Sequence, residues 1–192
     1  MQNTERRTCF MIMTDREAWN LAIAAVAEEC GRLSVSRRAA VAEAAEAVKS
    51  CKKALHRVVE AVAVADICAS CRGACCRTGK YHFTVVDLLV YLSDGRELFT
   101  PGFDKGGCPY LGERGCLMEP PLRPYNCVTF NCEEVERLLD PRERERLVRL
   151  ELELRAHYRG LEELFGNRFM GGLLMNWERS CGGGRAAILG GR

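Results

Sequence analysis

No stretch of this chain approaches the roughly 18 consecutive apolar residues that cross a bilayer. The apolar run near the start, Cys9 to Met13, is shorter than the core of a secretory signal. No membrane association and a cytoplasmic location are therefore expected. Charge of one sign is also missing: 28 Lys and Arg face 26 Asp and Glu, a net charge of +2, which supplies no dominant electrostatic grip on nucleic acid. No segment carries a convincing strand pattern, which points to a mainly α fold. The glycines of the tail CGGGRAAILGGR lack the Gly-Lys-Ser/Thr of a phosphate loop. No Ser/His/Asp or Cys/His grouping stands out along the chain, so the sequence does not announce catalysis.

Helical periodicity divides the chain into regions. Trp19, Ala22, Ile23, Val26, Cys30 and Leu33 recur at helical spacing, and Ser34 to Ser36 can turn the chain. A second helix is expected from Arg37 to Ala65. Val41, Val48, Leu55 and Val62 repeat every seventh residue, with Ala44, Cys51, Val58 and Ala65 three positions later, a seam like that of a coiled coil. Together they make a helical hairpin over 15–66. A loop-rich segment, 67–132, follows. It holds one short helix near Val85 to Leu92, with Thr84 as N-cap and Asp87 three residues on. Asn131 then reads as the cap of a short helix over Glu133 to Leu139. Asp140-Pro141-Arg142-Glu143 restarts the chain as a helix: a cap, proline in first position and Glu in third. Its stripe is Leu147, Leu150, Leu154, Tyr158, Leu161 and Leu164/Phe165, with Gly166 as the stop. Residues 133–180 are expected to pack on the hairpin, and 181–192 to be a flexible tail. The architecture expected is a bundle of about three long helices carrying an inserted cysteine module.

The chain has 12 cysteines, and eight of them fall between Cys68 and Cys132: Cys68, Cys71, Cys75, Cys76, Cys108, Cys116, Cys127 and Cys132. Cys9, Cys30, Cys51 and Cys181 are scattered, and Cys30 and Cys51 read as small buried hydrophobes. In a reducing compartment a cluster of thiols points to metal binding or catalysis before structural disulfides. Residues 67–132 carry seven Lys and Arg and six Asp and Glu, so eight gathered thiolates would leave a large uncompensated negative charge without bound cations. The adjacent pair Cys75-Cys76 is a poor disulfide, because linked cysteines want Cα atoms further apart than the 3.8 Å of neighbours. A redox-active disulfide such as Cys68–Cys71 stays open. Only one CxxC is present where a zinc ribbon needs two, and Thr78 stands where a radical-SAM triad needs its third cysteine.

The order Cys68-x2-Cys71-x3-Cys75-Cys76, then Cys108-Pro109-Tyr110-Leu111 with Gly115-Cys116, then Arg123-Pro124-x2-Cys127, resembles the YkgJ-type cysteine-cluster family, described as zinc- or iron-chelating. The usual first block of that family is CxxCxxCC, so this chain has one extra residue before the pair. The resemblance covers 68–132, about a third of the chain, and implies that these cysteines are metal ligands. The module is also similar to part of the flagellin lysine-N-methylases, regarded as iron–sulfur proteins that use S-adenosylmethionine. Those chains are much longer, and no S-adenosylmethionine-binding signature occurs here.

The leading expectation is one [4Fe–4S] cluster held by four of the eight, with Cys68, Cys71, Cys75 and Cys76 first in line. Zinc at one or two four-thiolate sites is the rival, since sulfur ligation suits both. The role would be redox, sensing or accessory. A protein-lysine methyltransferase-like activity and a structural zinc module on an interaction scaffold are the alternatives. The sequence identifies no protein partner. His82 reads first as a polar loop histidine and second as a ligand. Arg123 is a donor to sulfur or carboxylate, or a surface arginine. Tyr110 and Tyr125 read as shields of the site or as packing. Asp87 and Glu133 read as helix N-terminal carboxylates before acids, bases or ligands. His56 and His157 read as helix surface residues.

Overall fold

The computed structural model describes residues 13–64, 67, 70, 79–112, 115–169, 171–182 and 187–190. These residues form a mainly α structure. α1 spans Asp15–Gly31, α2 Val35–Glu60, α3 Val85–Ser93, α4 Tyr125–Thr129, α5 Glu133–Leu138, α6 Pro141–Phe165 and α7 Leu173–Gly182. One two-stranded hairpin, β1 (Leu111–Gly112) and β2 (Gly115–Cys116), pairs Leu111 with Cys116 and Gly112 with Gly115.

Local chemistry sets most boundaries. Thr14 and Glu17 form a capping box at α1, Thr84 and Asp87 one at α3, and Asp140 and Glu143 one at α6, with Pro141 in its first turn. Gly166 ends α6 in the left-handed region, at φ 61°. Ser34 caps α2 by accepting from the Arg37 amide. Two boundaries differ from expectation. The cap of α5 is Cys132, which makes no side-chain capping bond, in place of Asn131. α2 ends at Glu60, five residues before Ala65, so Val62 lies in the turn that follows. That turn contains Ala63 at φ 53°, the one non-glycine residue with positive φ among those described. The turn breaks the heptad seam and redirects the chain toward the cysteine segment.

α2 packs chiefly on α6 and also meets α3 and the single turn Pro120–Leu122, while α1 packs on α7 and α3. Val41, Ala45, Val48, Cys51, Leu55 and Val58 of α2 are buried, opposite Leu154, Tyr158, Leu161 and Phe165 of α6. The coiled-coil-like seam is thus filled within the chain. α3 is buried nearly all round, from Val85 to Tyr91, and occupies the centre. Beside it lies an aromatic group. Trp19 stands 4.9 Å from Phe83, 5.9 Å from Phe99 and 6.0 Å from both Phe103 and Tyr110, centroid to centroid. These rings pin the irregular segment 96–110 against the core, a task that local periodicity cannot perform for a loop.

The segment read as a flexible tail is docked where it is described. Ile188 and Leu189 are buried, and their amides donate to Glu29 Oε1 and Oε2, each at 2.8 Å. Asn167 Nδ2 donates to the Ile188 carbonyl at 2.7 Å. The reason is burial: a pair of aliphatic side chains enters the core, and one carboxylate satisfies the two amides that go with them.

Candidate metal centre

The cysteine calls divide. Cys68, Cys71, Cys75 and Cys76 lie outside the described residues, as does the question of a Cys68–Cys71 disulfide. Cys108, Cys116, Cys127 and Cys132 are described and do not all share one place.

Cys108 and Cys127 lie against opposite ends of the segment Gly79–His82. Gly79 opens a single helical turn, Gly79–Tyr81, and an added Cβ there would stand 3.1 Å from Cys108 Sγ. The close approach explains glycine at this position. Three residues on, the His82 amide donates to the Gly79 carbonyl at 2.9 Å, and His82 Nδ1 lies 3.5 Å from Cys127 Sγ. Both thiols border Tyr110. Its phenol is buried, donates to the Lys80 carbonyl at 3.2 Å, and titrates far above its ordinary range, through burial first and then through the nearby Cys127 and Cys108. Tyr110 is therefore a wall between this spot and the Trp19 cluster.

Rigid elements hold these groups. α4 carries Cys127, and its amide donates to the Pro124 carbonyl at 2.9 Å. α4 is anchored by Tyr125, whose ring meets Tyr158 edge-on at 5.3 Å and whose hydroxyl donates to Glu151 while accepting from Arg155 Nε. The strip after His82 is held by α7. The Leu173 amide donates to the Phe83 carbonyl at 2.6 Å, and Thr84 pairs with Gly172 in a single bridge. A Cβ on Gly172 would stand 2.4 Å from the Tyr81 carbonyl oxygen, so only glycine permits this contact.

Cys116 is exposed at the end of β2, beside Tyr91, whose phenol is pushed up by burial first and by Cys116 next. Cys132 is half-buried at the start of α5. Among the described residues no three His, Cys, Asp or Glu side chains are grouped closely enough to hold a metal by themselves.

The supporting residues also take definite places. Arg123 Nε donates to the Met118 carbonyl at 3.2 Å, and its charge faces His56. Tyr125 is buried as packing and as a hydrogen-bonding anchor. Glu133 lies in the first turn of α5. His157 pairs with Glu153 along α6 at 3.7 Å.

Sequence reasoning missed one polar network. Lys52 and Asp87 are both fully buried and paired at 2.8 Å. Asp87 Oδ1 also accepts from the Tyr158 hydroxyl at 2.5 Å, and Oδ2 accepts from the Thr84 amide at 2.9 Å and hydroxyl at 2.7 Å. Lys52 Nζ lies 5.4 Å from the Tyr158 ring centroid. The capping carboxylate of α3 is thus also the counter-ion of α2 and the acceptor for α6. Burial lowers the His82 pKa, and the Asp87 charge opposes that fall, so the network reaches toward the metal-ligand candidates. The only advance signal is the position of Lys52, next to Cys51 on the apolar side of α2.

No family model, curated protein or solved structure matches this chain. No helix among the described residues is long and apolar enough to cross a membrane.

Proposed function

We propose that this protein binds a metal, zinc or iron including an iron–sulfur cluster, through its clustered cysteines, in a redox, sensing or accessory role in the cytoplasm. The observation that carries the reading is the 3.5 Å approach of His82 Nδ1 to Cys127 Sγ, with Cys108 against Gly79 three residues earlier. A thiol from one chain segment thus stands beside an imidazole from another, and a second thiol lies at the start of the same Gly79–His82 segment. Sulfur and imidazole are the donors that zinc and iron favour. The donor types suit such a metal, and among the described residues no three of them are grouped as a site. In sequence Cys76 precedes Gly79 by three residues, a span of at most about 11 Å for an extended chain. In this reading the Cys68–Cys76 block, close to Gly79 in sequence, supplies the further thiols.

When bound, the metal would hold its ligand thiols as thiolates and couple loading to the order of the loops. The chain's own contribution is to orient and to exclude water. α4 and the Gly79–His82 segment fix the donors, while Tyr110 closes the inner side. Iron, zinc and acid-labile sulfide analysis on protein purified without oxygen tests the reading. Stoichiometric zinc, or iron with or without sulfide, is expected, and protein holding neither metal refutes it.

A further inference from the structure

We propose that the outward face of α6 pairs with the same face of a second copy of this chain, the two helices running antiparallel, with Glu145 of each copy against Arg159 of the other. This pairing is independent of the metal-binding reading above.

α6 has two distinct sides. At about 100° per residue, Leu154, Tyr158, Leu161 and Phe165 form the buried stripe that packs on α2. Val148, Leu152 and Ala156 recur one turn apart on the opposite side, within an arc of about 80° that also takes in Glu145 and Arg159. Val148 is 58% exposed and Leu152 61%, and Ala156 is exposed as well. Polar and charged residues are what the water-facing side of such a helix calls for, so two large aliphatic side chains at its middle break the pattern. The apolar seam of α2 is filled within the chain, whereas this second stripe faces water.

The charges indicate what covers it. Glu145 and Arg159 lie seven residues to either side of Leu152, at the two ends of the stripe. A two-fold axis at Leu152 sets Glu145 level with Arg159 of the second copy and Arg159 level with its Glu145, so both ends of the contact carry opposite charges. The same axis sets Leu152 on Leu152 and Val148 level with Ala156, a large side chain against a small one. Parallel pairing would instead stack Glu145 on Glu145 and Arg159 on Arg159, which repel. Neither Glu145 nor Arg159 forms an ion pair among the described residues, although Arg149 lies one turn beyond Glu145, at the spacing that favours a pair within a helix. The contact is one helix wide, below the size of a standard interface, so the dimer is weak, with a Kd on the order of 10–100 µM.

Sedimentation velocity tests the pairing on the full chain, purified without oxygen and kept in thiol reductant so that no disulfide joins the copies, from about 1 to about 500 µM. A reversible monomer–dimer equilibrium is expected. Leu152→Asp should leave only monomer. Glu145→Arg should weaken association about tenfold or more, because cations then face each other at both ends, and combining it with Arg159→Glu should return association to within about threefold of the wild type. These side chains are exposed, so the thermal midpoint should barely move, and rescue by the double exchange cannot arise from misfolding. A wild-type chain that stays monomeric throughout overturns the proposal and leaves the stripe to a different protein. A dimer that survives Leu152→Asp, or one that the double exchange fails to restore, overturns it as well.

Discussion

Replacing Asp87 with alanine should unfold this protein more readily than any substitution at the thiols. The carboxylate accepts four hydrogen bonds and has no exposure to solvent. Its removal strands the ammonium of Lys52, which is also fully buried, and leaves the Tyr158 hydroxyl without its acceptor. Breaking a buried ion pair by deleting one partner costs about 3–5 kcal/mol, and losing the capping bond at α3 adds about 1 kcal/mol. The expected loss is therefore about 4–6 kcal/mol, a fall in Tm on the order of 10–20 °C for a chain of this size. Lys52→Met alone should cost less, because it removes the charge that would otherwise be stranded but leaves Asp87 with its other donors. The pair Lys52→Met and Asp87→Asn should be less damaging than the sum of its parts by about 2 kcal/mol or more, since no charge is then left unpaired. Denaturant unfolding followed by circular dichroism, with Asp87→Asn also measured alone, gives all four numbers. A loss below about 1 kcal/mol for Asp87→Ala, or strict additivity in the double variant, would refute the account of this network.

Three further outcomes are expected. Gly172→Ala places a methyl group against the Tyr81 carbonyl and displaces the His82 strip, so it should cost about 2 kcal/mol or more, read by thermal unfolding. Glu29→Ala removes both acceptors for the Ile188 and Leu189 amides and should cost about 2 kcal/mol, with loss of hydrogen-exchange protection at those two amides; undiminished protection would show the docking to be independent of Glu29. His56 titrates below its ordinary value, through burial first and the Arg123 charge next, with Glu60 opposing. The unfolded chain thus binds that proton more tightly, stability falls as pH drops through about 6.5 toward the lower folded value, and His56→Gln should reduce the loss seen in denaturation midpoints compared at neutral and acidic pH.

The parts of this fold that were legible in the sequence are the ones that local chemistry determines. The Thr84–Asp87 and Asp140–Glu143 boxes and the Gly166 stop are each complete within four or five residues, and each is found where the pattern placed it. The buried stripes of α2 and α6 follow from periodicity alone. The end of α2 was not legible, because the apolar repeat continues through Val62 while the chain has already turned at Ala61 to Ala63. The docking of Ile188 and Leu189 depends on a carboxylate almost 160 residues earlier in the chain. Asp87 showed its cap but not its ion pair, since Lys52 lies on another helix. The places of Cys108, against Gly79, and Cys127, against His82, were not legible from cysteine spacing. Nothing near His82 in the sequence shows that it faces a thiol 45 residues away.

The position of Trp19 gives the molecule a built-in optical gauge. It is one of two tryptophans, is almost completely shielded from water, and lies 6.0 Å from Tyr110, the ring that borders Cys108 and Cys127. Trp177, whose indole nitrogen has no hydrogen-bond partner among the described residues, can be exchanged for phenylalanine, which leaves Trp19 as the sole tryptophan. Its fluorescence then reports on Tyr110, the wall of the proposed metal site. Were the proposed site filled, a d10 ion such as zinc would leave that emission bright, whereas an iron–sulfur chromophore would absorb in the same range and darken it, so the light this one residue gives off would tell the two apart.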